Sequence, residues 1–147
     1  MKVQIKLDPA CIEPVLTIQA AQLTPQLQAL AQRLESEDRG RLLGWQEEKA
    51  TVLNSASLTR FYAQDRGVFC QDAAGETYAL RLRLYELEET LDPHQFVRIS
   101  NSELVNLGQI TALDLKLSGT IRLTLAGGAV CFVSRRNVKK LKEALGI

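Results

Sequence analysis

A mainly β chain with short helices, preceded by a small strand, strand and helix extension, is predicted by three features of this 147-residue sequence. Short apolar runs follow one another from Arg41 to Val133, separated by turn-forming residues. Only two or three stretches carry the three-and-four spacing of a helix. The composition shifts near residue 38, and no other boundary is indicated. Together these imply an antiparallel α+β architecture with connections along the sheet edge, residues 1–38 forming the extension and 39–147 the principal domain.

Lys2 to Leu7 alternates strictly, with Val3, Ile5 and Leu7 on one face, the pattern of a half-buried strand. Asp8-Pro9-Ala10 reads as a turn, and Pro14 to Ala20 as a second strand opening on a proline, where a missing N–H does least harm. Thr24 is the expected N-cap of a helix with Pro25 at its first position and Leu27, Leu30, Ala31 and Leu34 on one stripe. The run Glu35 to Gly40 is expected to end that helix as a linker. Residues 1–38 hold too little apolar surface to fold alone, so they must pack on the rest of the chain or on a second copy.

Further strands are expected at Arg41–Trp45, Ala50–Asn54, Leu58–Ala63, Val68–Gln71 and Thr77–Leu82, with turns at 46–49, 64–67 and 73–75. Leu84, Leu87 and Leu91 mark a helix closed by Asp92-Pro93, and its Glu86, Glu88 and Glu89 read as a solvated face. Ile110–Leu117, Thr120–Leu125 and Ala129–Val133 read as hairpin strands. A last helix begins near Arg135, turns Val138, Leu141 and Leu145 inward and stops at Gly146.

Between these elements lies a polar knot, Arg98, Ser100, Asn101 and Ser102, set among Phe96, Ile99, Leu104, Val105, Leu107 and Ile110. A core strand would not carry those polar residues in succession unless they faced water or a polar partner. An ordinary loop between two strands fits as well, since Ser and Asn favour turns. Asn106, among Leu104, Val105 and Leu107, reads as a structural hydrogen-bonder.

Composition narrows the function classes. A hydrophobic fraction of 46% and a charged fraction of 24% describe a globular chain. No run approaches the roughly 18 apolar residues of a membrane span, and the alternating start has no signal-peptide core, so a cytoplasmic location is expected. Cys11, Cys70 and Cys131 are far apart and the only histidine is His94, which argues against a zinc site. Each cysteine has an apolar neighbour and reads as a small reduced hydrophobe. No nucleophile stands beside a base, so neither enzyme nor cofactor is expected.

The net charge of +1 conceals an asymmetry. From Arg98 to Ile147 eight Lys or Arg face three acids, a balance of +5, which leaves −4 for residues 1–97. That split favours a polyanion-binding face at the C-terminal end over a uniformly charged surface. Ser134-Arg135-Arg136 stands at the start of the last helix, where each arginine is unfavourable by roughly 0.3–1 kcal/mol against the helix dipole. A phosphate there would offset this by accepting from Ser134, the arginines and the free N–H groups, or the arginines extend into water.

The ordered motifs Leu84-Tyr85-Glu86-Leu87-Glu88-Glu89-Thr90-Leu91, Phe96-Val97-Arg98-Ile99-Ser100-Asn101-Ser102, Leu104-Val105-Asn106 and Val133-Ser134-Arg135-Arg136-Asn137-Val138-Lys139-Lys140 resemble the LytTR domain. That is the DNA-binding module of LytR/AlgR-type bacterial response regulators, and the resemblance covers about residues 40 to 147. It implies a compact antiparallel β fold that grips double-stranded DNA with loops entering neighbouring grooves. Asn101, flanked by Ser100 and Ser102, matches one base reader; family members often carry His where Ser100 stands, which weakens that contact. Arg136 matches a second base reader. Ser134, Arg135 and Lys139 suit phosphates, with Arg98 and Lys140 in the same cationic set, and Arg66 is the choice for a third loop at Gln64–Gly67.

The residues ahead of the motifs are too few for a receiver domain, so the resemblance is to the short, stand-alone type. It further implies a homodimer on paired sites and a small membrane inhibitor protein as partner, while the strand edge and leucine stripe of residues 1–38, which need covering, make that segment the expected self-association element. Two other readings stand beside it: a non-enzymatic protein-interaction module using an exposed strand edge, and an RNA binder. The second is disfavoured by an aromatic content of only 5%.

Overall fold

The computed structural model describes the chain except residues 13 and 117 and the side chains of residues 36–39. It divides into two compact units, residues 1–34 and 35–147. In the first unit the strands expected at 2–7 and 14–20 do not form. Val3, Ile5 and Leu7 are each 84% or more exposed, and these segments join no ladder among the described residues. Alternation supplies a face, but a strand exists only through a neighbour's N–H and C=O groups.

The turn at Asp8 does form, its carboxylate accepting from Ala10 N at 3.0 Å. The expected helix starts at Pro25, and Thr24 caps it by accepting from Leu27 N at 3.2 Å. This helix, α1 (Pro25–Arg39), continues through the run expected to be a linker, because Glu and Arg are good helix formers and glycine comes only at position 40.

The second unit contains β1 (Arg41–Gln46), β2 (Lys49–Asn54), β3 (Leu58–Gln64), β4 (Gly67–Asp72), β5 (Thr77–Leu80), α2 (Leu84–Thr90), β6 (Phe96–Ser100), β7 (Glu103–Asn106), β8 (Ile110–Asp114), β9 (Ile121–Leu125), β10 (Val130–Val133) and α3 (Val138–Leu145). One sheet has the order β2-β1-β5-β4-β3-β7-β6 and the other β10-β9-β8. Their ladders are antiparallel, as the hairpin spacing implied. Leu117, expected to end a strand, lies outside the described residues.

The polar knot is the tip of the β6–β7 hairpin. Phe96 and Leu104 enter one core with Phe61, Leu58 and the α2 leucines 84 and 87. Val97, Ile99 and Val105 enter a second core with Ile121, Leu123, Leu125 and Leu141. Both faces of the hairpin are therefore buried, which removes the polar alternation that marks a half-exposed strand.

Asn106 is fully buried, donates to Leu58 O at 2.9 Å and Ala56 O at 3.3 Å, and accepts from Gly108 N at 3.0 Å. Cys70 and Cys131 are buried, but Cys11 is exposed, so Ile12 beside it gave no packing. The acidic face of α2 is not wholly solvated either, since Glu88 lies 3.7 Å from Arg98 Nη1.

Candidate nucleic-acid interface

The β3–β4 hairpin closes on Asp65 and Arg66, both left-handed at φ 50° and 65°. That conformation is what a two-residue turn needs to match the strand twist, and it leaves Arg66 exposed at the tip. Three residues back, Ala63 N donates to Ser102 O at 2.8 Å. The β3–β4 and β6–β7 turns are thereby joined at one end of the large sheet.

Within the β6–β7 turn, Arg98 is committed to the backbone. Its Nε donates to Ser100 O at 2.8 Å and its Nη2 to Asn101 O at 2.6 Å, while Glu88 neutralises it from α2. Ser100 Oγ accepts from Ser102 N at 3.3 Å. Glu103, the first residue of β7, pairs with Arg60 of β3 at 3.2 Å and accepts from Cys131 Sγ of β10 at 2.7 Å. Burial, and then the Glu103 carboxylate, push the Cys131 thiol up to about 12, so it stays protonated as the donor.

Ser134 N donates to Ile99 O at 2.8 Å, which brings the segment after β10 against β6. A 3-10 turn, Arg135–Asn137, precedes α3, so the arginines stand before the helix and not in its first turn as expected. Asn137 Nδ2 occupies Ser134 Oγ at 2.6 Å. Arg136 Nη2 donates to Asn101 Oδ1, bridging two turns 35 positions apart in sequence. Arg135 lies across Gly119, where an added Cβ would meet its Nε at 3.1 Å. Lys139 and Lys140 are exposed on the first turn of α3.

The β8–β9 connection contains exposed Lys116 on the same loop as Gly119, a cation that sequence reading counted in the basic C-terminal balance but did not place among the site residues. Among the described residues no cluster of His, Cys, Asp and Glu could hold a metal ion, and no helix is long and apolar enough to cross a membrane.

The LytTr DNA-binding domain family model matches residues 48–146. This chain belongs to the LytTR family. Curated relatives at 30% identity over 148 residues, covering 100% of this chain and 99% of theirs, include uncharacterized HTH-type transcriptional regulators of Staphylococcus aureus strains MSSA476 and NCTC 8325. A solved LytTr DNA-binding domain of a Bacillus cereus response regulator superposes with a TM-score of 0.69 at 19% identity, covering 74% of this chain and 98% of that one. The match fixes the LytTR fold as mostly antiparallel β with few short helices. In the second unit, α2 and α3 are separated by five strands, so the described residues there contain no helix-turn-helix pair.

Proposed function

We propose that this LytTR chain is a cytoplasmic, non-enzymatic transcriptional regulator that reads duplex DNA through loops at one end of its β fold. The observation that carries this reading is the bond from Arg136 to Asn101, which makes neighbours of two side chains able to address base edges. An arginine fork matches guanine O6 and N7, and an asparagine amide matches adenine N6 and N7. Arg66, Arg135, Lys139 and Lys140 are exposed cations suited to holding phosphates, which fixes register without reading sequence. Arg98, with its donors on loop carbonyls, serves by positioning the loop. The regulator names of the Staphylococcus relatives agree with this role.

The test is binding to a duplex selected from a random library, against unselected duplex. Arg136→Ala is expected to cost about 1–3 kcal/mol on the selected duplex and little on the other, whereas Lys139→Ala weakens both alike. Equal losses on both duplexes for Arg136→Ala overturn base reading. A protein-interaction reading draws on the β2 edge strand and its neighbour β1, where the paired Val52 and Leu43 are 70% and 54% exposed. Affinity for a protein partner there would change little with salt, while DNA affinity falls steeply.

Residues 1–38 are assigned to self-association, so that two copies occupy paired sites. The exposed apolar residues Val3, Ile5 and Leu7, which join no ladder among the described residues, support this, since a strand with that pattern needs a neighbour. Light scattering of a chain starting at Gly40 should report monomer where the full chain reports dimer, and unchanged dimerisation rules the assignment out.

A further inference from the structure

We propose that Asn101 acts on DNA mainly through Arg136, as its positioning residue, so that the two loops read one base pair together and not two independently. The proposal rests on the duplex-reading function above and deepens it. Asn101 Oδ1 accepts from Arg136 Nη2, the one side-chain bond that Arg136 makes among the described residues. Arginine has many rotamers, and an exposed one loses that freedom when it docks on a base. A fixed acceptor removes part of the cost beforehand.

The acceptor is itself fixed. Arg98 clamps the carbonyls of Ser100 and Asn101, Glu88 holds Arg98, and Ser102 O is tied to Ala63 N. On the other side, Ser134 N is bonded to Ile99 O and Ser134 Oγ to Asn137, which sets the 3-10 turn carrying Arg136. Arg136 therefore meets an asparagine whose backbone is already held from several directions. Nη2 bears two hydrogens and Asn101 takes one of them. The guanidinium fork that uses the other stays open, and two parallel donors match the N7 and O6 acceptors of guanine.

The experiment selects sites from a randomised duplex library with five proteins: the full chain, Arg136→Ala, Asn101→Ala, Asn101→Asp and the double variant carrying Arg136→Ala with Asn101→Ala. If the pair reads as a unit, the full chain selects guanine at one position, and Arg136→Ala and Asn101→Ala each relax that same position. Their losses on the selected duplex are then non-additive, the double variant being weakened within about threefold of Arg136→Ala alone. Asn101→Asp keeps the acceptor and so keeps the guanine preference, while its added negative charge lowers affinity for all duplexes.

If Asn101→Ala instead relaxes a different base pair from Arg136→Ala, with losses that multiply, Asn101 is an independent reader and the proposal is overturned while duplex reading stands. If the full chain selects no site at all, the duplex reading fails and the pairing falls with it. Both side chains are exposed, so matched thermal melts of the variants exclude a folding defect as the source of either result.

Discussion

Replacing Asn106 by alanine tests how the hairpin that carries Asn101 is held. The side chain is fully buried and supplies the only side-chain donor to Leu58 O, at 2.9 Å, among the described residues. Removing it strands that carbonyl in the core, a loss of about 1–3 kcal/mol. Gly108 N loses its 3.0 Å acceptor, a further ~0.5–1.5 kcal/mol. Ala56 O keeps a partner, since Gln109 Nε2 also donates to it at 3.1 Å.

The vacated amide volume adds about 1 kcal/mol, and the central values of the three losses sum to about 4 kcal/mol. For a chain of this length that lowers the melting temperature by roughly 10 °C. Thermal melts by circular dichroism measure it, and a shift below about 3 °C would refute the view that this network anchors β7 to β3. DNA affinity, measured well below the transition, should fall more on a selected than on an unselected duplex, because Asn106 anchors the hairpin that carries Asn101.

Salt dependence offers a second check: Lys139→Ala and Lys140→Ala should each reduce the slope of log affinity against log salt by about 0.9 for every phosphate contact removed. Gly127→Ala should destabilise by roughly 2–3 kcal/mol in a denaturant titration, because its φ is +89° and a Cβ would lie 2.4 Å from Ala73 O. Alkylation of the native chain near neutral pH should label Cys11 alone, read by mass spectrometry, since Cys70 and Cys131 are buried thiols raised to about 12. Those thiols stay neutral in the fold while unfolded thiols ionise from about 9.0, so their stabilising contribution is full below pH 9 and lost as pH rises toward 12. Cys131→Ser, which does not titrate there, should flatten part of that alkaline decline in melting temperature.

What the sequence made legible follows a physical line. Strands with one wet face, such as β9 with Ile121, Leu123 and Leu125 inward and Arg122 outward, announce themselves by alternation. The β6–β7 hairpin does not, because two cores bury both its faces and only its tip is polar. At the front the error has the opposite sign: Val3, Ile5 and Leu7 alternate but join no ladder among the described residues, and periodicity cannot report whether a partner strand exists. The candidate site residues came from ordered motifs, whereas their mutual contacts depend on a register far from either residue. That Glu88 would reach Arg98, and that Arg98 would spend its donors on Ser100 and Asn101, required the α2 face and the hairpin bend together.

A loop-based reader, as proposed for this chain, has a difficulty that a recognition helix avoids, because a helix brings its own rigid hydrogen-bonded frame and a turn does not. Here the frame is borrowed. The β6–β7 hairpin lies between two hydrophobic cores, so its backbone can move only if both cores repack. Ser102 O ties one neighbouring loop to it and Ile99 O ties another, so the stiffness of the cores reaches the turns through two short backbone bonds. Glu103, held by Arg60 and Cys131, adds a side-chain brace at the base of the same turn. Ordering a free surface side chain on binding costs about 0.5–1.5 kcal/mol, and each loop ordered in advance spares part of that sum. Core substitutions beneath the hairpin, at Val97 or Val105, should for that reason weaken a selected duplex more than an unselected one, even though neither side chain can touch DNA.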